Sequence, residues 1–274
     1  MKVSPFLQLY KDNEGTIKSL YGSSTKLAIL DALYENKPHR LSDLRYKLNL
    51  NAPNTSANCK GLMDLGLVEK PDGDYTLTEW GELVLERIKE ELQFYSSLNK
   101  FREYWDSHIL SGLPEEFRQE IGLYATAVLL KPKADVIDYP DRRWIELYKG
   151  AKKRLWGVTP VFRDDYMEAI MQAINNNAKV QLIFTKEILD SMLSKIPKDQ
   201  ISKLRSMKNL QFFLIEDLSI AFTIGDDFCT IGFKSKKGPS TYMDMCIESW
   251  DPKCVQFQLR LFDYFKKKST AVKL

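Results

Sequence analysis

Pro53-Asn54-Thr55-Ser56-Ala57-Asn58-Cys59-Lys60-Gly61-Leu62-Met63-Asp64-Leu65-Gly66, continued by Leu67-Val68-Glu69-Lys70-Pro71-Asp72-Gly73-Asp74-Tyr75-Thr76-Leu77-Thr78, decides how the first third of this 274-residue chain folds. Pro53 stands where the first helical residue has no use for its N–H, and Gly66 is a natural helix stop. Beyond it, Leu67 to Lys70 and Tyr75 to Leu77 are short β segments around a Pro-Asp-Gly turn, which makes a hairpin by turn chemistry alone.

Working backwards, Ser42 is placed to cap a helix with Leu44 and Leu48 on one face, and Asn49, Asn51 and Ala52 form the turn between the two helices. Ser24 is the expected cap of an earlier helix carrying Leu27, Leu30, Leu33 and Tyr34; Pro38 ends it, and Arg40-Leu41 is extended. Phe6, Leu7, Leu9 and Tyr10 read only as a short apolar lead. Three helices and a hairpin in this order predict a winged helix-turn-helix, whose second paired helix enters the DNA major groove. Its exposed residues are expected to be Asn54, Thr55, Ser56, Asn58 and Lys60, short hydrogen bonders suited to base edges, with Arg40, Ser42 and Lys70 as further contacts. Lys47 and Arg45 are additional candidates for phosphate.

Forty basic against thirty-seven acidic residues give a net charge of +3, too little for bulk attraction to nucleic acid or an anionic membrane. Any DNA binding must therefore be local. The apolar run Ile121 to Leu130 is far short of the roughly 20 residues that span a bilayer, so a soluble, cytoplasmic protein without membrane partners is expected. Four cysteines without C-x-x-C spacing and two histidines far apart signal neither a disulfide framework nor a metal site, and no cofactor is expected.

From Thr78 a long helical pattern runs through Trp80, Val84, Ile88, Tyr95, Leu98 and Trp105, spaced as in a helix packed along one seam. After Ser107 the pattern changes. A helix around Glu115 to Ile121 and an apolar strand, Tyr124 to Leu130, precede a helix at Trp144 to Ala151. The strand Lys153 to Val158, the helix Arg163 to Asn175 and the strand Val180 to Phe184 form a βαβ unit, which implies parallel strands. A helix around Ile188 to Leu193 follows, then strands at Gln211 to Ile215, Ile220 to Ile224 and Phe228 to Phe233, and an amphipathic helix at Val255 to Phe265. The expected class is α+β: a winged helix over 1–80, a helical connector over 81–106, and an α/β sensor domain with a mixed sheet over 107–274.

The chain resembles archaeal winged-helix transcriptional regulators that carry the methanogenesis regulatory protein middle domain. The resemblance lies in Gly66-Leu67-Val68 through Tyr75-Thr76-Leu77-Thr78-Glu79-Trp80-Gly81, in Tyr104-Trp105 through Pro114, and in Gly157-Val158-Thr159-Pro160-Val161-Phe162 with Val180-Gln181-Leu182-Ile183-Phe184-Thr185-Lys186-Glu187. It implies a homodimeric regulator that binds a double-stranded DNA operator and whose C-terminal half senses an unknown small molecule or signal. The order of the second half also resembles a phospholipase D-type fold. Enzymes of that fold need a His-x-Lys-x-x-x-x-Asp motif, and if Ser219 to Asp226 occupies its place, Ser219 and Ala221 replace the nucleophile and the cation. Binding without turnover is expected.

Ligands of parallel sheets usually sit beyond the carboxyl ends of the strands, which points to Trp156, Thr159, Arg163, Thr185, Lys186 and Lys234 for the sensor site. An apolar pocket from Tyr242, Met243, Met245 and Trp250 is a further possibility, although such clusters are usually core. Two competing functions stand beside the regulator. One is a phosphodiesterase or nuclease with Asp164, Asp165, Asp226 and Asp227 holding a metal ion, and the other is a protein-interaction scaffold.

Overall fold

Helix α1 (Pro5–Tyr21) begins at Ser4, whose Oγ accepts a hydrogen bond from the Leu7 N–H at 3.2 Å. In this computed structural model, which describes residues 4–34, 38–136, 138–161, 163–197, 201, 204–236 and 244–272, the chain forms two compact units, Met1–Glu91 and Leu92–Leu274. The apolar lead is thus part of a 17-residue helix. Its only buried residue is Leu20, so it lacks the repeated core positions that reveal a helix in sequence.

Helices α2 (Ser24–Leu33), α3 (Leu41–Leu48) and α4 (Ala52–Asp64) surround a core of Ile29, Leu30, Leu44, Cys59 and Leu62. Ser23, not Ser24, caps α2, accepting from the Lys26 N–H. Ser42 is not a cap either. It lies within α3, where Asp43 accepts from the Arg40 N–H instead. Asn51 caps α4 by accepting from Asn54 N–H at 2.9 Å, with Pro53 in the first turn. Gly66 ends the helix with φ +70°, and its N–H bonds the Met63 carbonyl while that of Leu67 reaches Leu62. Burial raises the Cys59 thiol to about 11, so it stays protonated and packs as a small apolar group.

Strands β1 (Val68–Glu69) and β2 (Thr76–Leu77) pair antiparallel around the Pro71–Gly73 turn, and His39 adds a bridge to Tyr75. The predicted wing is therefore present. Thr78 caps helix α5 (Glu79–Lys100) by accepting from Gly81 N–H at 3.0 Å, and its hydroxyl donates to the Gly66 carbonyl. The expected helical run to Trp105 is interrupted at Phe101, after which α6 (Arg102–Ser107) follows. Nor is its seam continuous: Ile88 is buried and Val84 and Leu98 half-buried, whereas Trp80 and Tyr95 face out at 69% and 58% exposure.

The second unit is a mixed sheet. Its strands are β3 (His108–Ile109), β4 (Val128–Leu130), β5 (Arg154–Val158), β6 (Lys179–Phe184), β7 (Leu210–Leu214), β8 (Ile220–Ile224), β9 (Cys229–Ser235), β10 (Cys246–Ser249) and β11 (Thr270–Val272). Among the described residues the order is β11-β7-β6-β5-β8-β9-β10-β4, with β3 on β9. Strands β5, β6 and β7 are parallel, joined through α9 (Asp164–Asn175) and α10 (Lys186–Lys195), as the βαβ reading requires. The expected strand Tyr124 to Leu130 shrinks to Val128–Leu130. Residues Gln119–Thr126, which follow the short helix α7 (Glu115–Arg118), form a 3-10 helix that buries Tyr124, whose hydroxyl accepts from Gln258 Nε2.

Helices α8 (Tyr139–Gly150), α9 and α10 supply the apolar layer on one side, against Leu155, Val180, Leu182 and Phe212. The C-terminal helix, here α11 (Pro252–Lys267), packs Phe257, Leu261 and Phe262 on the other side against Phe222 and Ile224.

An added methyl at Gly81 would meet the Leu67 carbonyl oxygen at 2.0 Å, so α5 packs on the wing backbone itself. Gly81→Ala is expected to destabilise the chain by about 2 kcal/mol or more through overpacking, read as a lowered Tm in thermal unfolding. An unchanged Tm would contradict this packing.

Candidate nucleic-acid interface and ligand site

Helix α4 buries one stripe, Thr55, Cys59 and Leu62, at positions four and three residues apart. Asn54 on one flank of that stripe, and Ser56 and Lys60 on the other, are exposed. Thr55 is the correction: it is fully buried and its hydroxyl donates to the Asn51 carbonyl at 2.8 Å, so it meets no external partner. Asn58 is half-buried, with Nδ2 donating to the Asn54 carbonyl at 2.8 Å and to Asn54 Oδ1 at 2.7 Å while Ser23 donates to its Oδ1. It orients Asn54 rather than standing free.

Arg40, Ser42, Arg45, Lys47 and Lys70 are exposed on α3, its start and the wing. Arg40 lies 3.7 Å from Asp74 across the wing, Ser42 donates to Asp43, and Lys70 sits 4.7 Å from the centre of the Tyr75 ring. Two exposed residues went unread, Tyr46 at 93% and Met63 at 39% exposure. The signal for Tyr46 was its place two residues after Leu44, on the outer face of a helix with one buried position.

The six residues expected to sense a ligand do not converge. Thr159 and Thr185 follow the carboxyl ends of the parallel strands β5 and β6, and Lys234 lies near the end of β9, which runs the same way. The Thr159 hydroxyl is engaged in its own turn, donating to the Val161 carbonyl at 2.6 Å. Arg163 holds Asp165 through two bonds of 3.1 and 2.7 Å and Asp141 at 2.6 Å. Its charge is spent on fastening α8 to α9. The hydrogen bonds from Arg163 outweigh burial and lower the Asp165 carboxyl, whereas burial raises that of Asp141. Lys186 pairs with Asp190 at 2.6 Å.

Trp156 lies within β5, not beyond it, on the α11 face. Its ring is 5.1 Å from that of Phe262, and its buried Nε1 has no partner. Of the suggested apolar pocket, Tyr242 and Met243 lie outside the described residues, as does Phe162; Met245 packs on the core and Trp250 is 49% exposed. Two concavities of about 440 and 430 Å³ open along β6, β7 and β11, and none of the six expected residues lines either.

The two acidic pairs are also apart. Asp164 and Asp165 begin α9 after β5 ends, whereas Asp226 accepts backbone N–H bonds from Lys152, Lys153 and Arg154 at 3.0, 2.9 and 2.8 Å, where β5 begins. They cannot share one metal ion. Among the described residues no group of three His, Cys, Asp or Glu is placed to hold one. Ser219 and Ala221 lie at the opposite end of β8 from Asp226. No helix among the described residues is long and apolar enough to cross a membrane.

Comparison with known proteins agrees with the family read from the sequence. Residues 137–268 match the family model of the methanogenesis regulatory protein FilR1, middle domain, and residues 14–96 match the HVO_A0261 N-terminal domain. Among solved structures, TrmBL2, an archaeal chromatin protein that binds DNA, is similar at 16% identity, covering 89% of this chain and 91% of its own, with a TM-score of 0.44. NucT from Helicobacter pylori is similar at 15% identity over 53% of this chain and 98% of its own, with a TM-score of 0.41. The phospholipase D family member Nuc from Salmonella typhimurium follows at 11% identity, 54% and 99%, with a TM-score of 0.40. No curated protein matches the chain.

Burial opposes ionisation of Asp226, yet the three N–H donors prevail and lower its carboxyl. A carboxylate with a folded pKa below its unfolded value near 3.9 contributes stability that is present above that value and lost as pH falls through the folded one. Asp226→Ala is therefore expected to cost about 2 to 3 kcal/mol at pH 7, with the difference from the parent chain shrinking below about pH 4. Denaturant unfolding at pH 7 and pH 3 reads both, and a difference independent of pH would contradict the role given to the carboxylate.

Proposed function

We propose that this chain, which carries a FilR1-type middle domain behind an HVO_A0261-type N-terminal domain, is a DNA-binding transcriptional regulator whose second unit senses a ligand or signal. The observation that carries the reading is α4: one stripe fixed in the core, with Asn54 exposed on one side of it and Ser56 and Lys60 on the other, in the same unit as a paired wing. Such a helix docks in the major groove, where Asn54, oriented by Asn58, can reach a base edge and Arg40, Ser42, Lys60 and Lys70 position it on or near the backbone. Thr55 is left out of this set because it is buried. Few cations at the interface imply modest non-specific affinity with a shallow salt dependence.

Chemistry is not part of the reading. If Ser219 to Asp226 takes the place of the phospholipase D-type motif, Ser219 and Ala221 stand where the nucleophile and the cation belong, and Asp226 is committed to backbone amides. Sensing would then act by linkage: an effector changes DNA affinity only through its different affinity for two conformations, typically by about 1 to 3 kcal/mol.

A second copy is the expected partner. The apolar face of α11 is consumed by its own core, whereas α5 leaves Trp80 and Leu83 exposed at 69% and 57%. Pairing through α5 matches a two-fold operator.

The test is fluorescence anisotropy with the chain's own upstream intergenic duplex against a scrambled duplex, across a salt series. Specific binding is expected, and Asn54→Ala with Lys60→Ala should weaken it at least about tenfold and lower the salt slope by roughly one unit, with folding intact. Undiminished affinity in that variant would sink the assignment of α4. Sedimentation of the same samples should give twice the chain mass, and a monomer that still binds specifically would remove the dimer.

A further inference from the structure

Strands β6 and β7 are covered on both faces only toward their carboxyl ends, where Ile183 and Phe213 are buried in the cluster that α11 closes. Val180, Leu182 and Phe212 enter the apolar layer with α9 and α10, while α11 packs on β5, β8 and β9. Strand alternation turns Lys179 and Gln181 of β6, with Gln211 of β7, to the same face as Ile183 and Phe213 but at the amino ends of the strands, before the part that the α11 cluster covers. The concavity of about 440 Å³ lies here, lined by Lys179, Val180, Gln181, Lys208, Asn209 and Gln211, with no carboxylate among them. Its size is within the range of small-molecule sites.

The polar floor has a fixed direction. Lys266 at the end of α11 donates to Gln181 Oε1 at 3.0 Å, and an ammonium group can only donate. That fixes the Gln181 amide so that its Nε2 donates to Gln211 Oε1 at 2.9 Å. Each side-chain carbonyl thereby accepts one bond, and among the described residues the Gln211 amino group has no acceptor of its own. Asn209 is anchored through Nδ2 to the Ile174 and Ala178 carbonyls and holds the rim in place. Among the described residues neither Lys179 nor Lys208 has an ion-pair partner. The cavity thus presents two ammonium groups and an oriented amide donor.

We propose that this concavity binds a small, multiply charged oxyanion of the phosphate class and, resting on the sensor reading above, that it is the effector site of the second unit. Paired ammonium groups with a preoriented amide give charge-assisted hydrogen bonds to phosphoryl oxygens. The site lies toward the amino ends of β6 and β7, away from the carboxyl-end position of Thr159 and Thr185.

The experiment is isothermal titration of the full chain with inorganic pyrophosphate. A Kd of roughly 10 μM to 1 mM is expected. Lys179→Gln with Lys208→Gln, both exposed and outside the core, should weaken it at least about tenfold, while Lys149→Gln with Lys253→Gln should not. No binding to the folded chain at about 10 mM, or equal loss in both variants, would overturn the site. A fall in duplex affinity of the first variant without pyrophosphate would assign these lysines to the DNA backbone and overturn it too. Anisotropy separates the two readings: pyrophosphate that binds without changing DNA affinity leaves the site and removes its effector role, whereas DNA binding without pyrophosphate binding leaves the regulator and removes the site.

Discussion

Strand β8 is buried from Ile220 to Ile224 without interruption, and the second unit is arranged around the demand that both of its faces be covered. Phe222 and Ile224 on one face take α11, and Ala221 on the other takes the layer of α8 to α10. A 16-residue helix can cover only part of a sheet this wide, at about 4.8 Å per strand. Its place, chiefly over β5, β8 and β9, covers β6 and β7 only as far as Ile183 and Phe213 and leaves their amino ends open on that side. The apolar requirement at the centre thus decides where polar side chains gather at the edge.

The first unit obeys the same constraint on one helix. Core packing claims Thr55, Cys59 and Leu62, and only the other side of α4 is available to a partner. The interface is defined by subtraction. The wing is held against it by backbone contacts: Thr78 donates to the Gly66 carbonyl, and Gly81 gives the Leu67 carbonyl room. A helix end, a hairpin and the start of α5 therefore form one rigid corner.

Elements with local signals were legible in the sequence. Pro53, Gly66 and the Pro71-Asp72-Gly73 turn act within a few residues, and the winged helix followed from them. So did the βαβ unit, whose strands are apolar and separated by one helix. Elements made by distant partners were not legible. Strand β10 carries Glu248 at its centre, where Arg143, 105 residues away, meets it with two bonds of 2.9 Å and Trp250 Nε1 adds one of 2.8 Å. Helix α1 buries a single residue and so had no pattern to read. The site residues divide likewise. Thr55 was misread because a hydroxyl that satisfies itself on a carbonyl four residues back can sit in a core, and Arg163 because Asp141 reaches it from another helix. Lys179 and Gln181 were visible as polar residues alternating at the start of an apolar strand, a sign that one face is open there, and the buried Ile183 ends the alternation.

The account rests on α4 and the wing meeting DNA, and hydrogen exchange of the full chain with and without its own upstream duplex tests this most directly. Slowed exchange over residues 52–64 and 68–77 on adding DNA is the predicted result. Protection confined to the second unit, with these segments unchanged while DNA is bound, would contradict it.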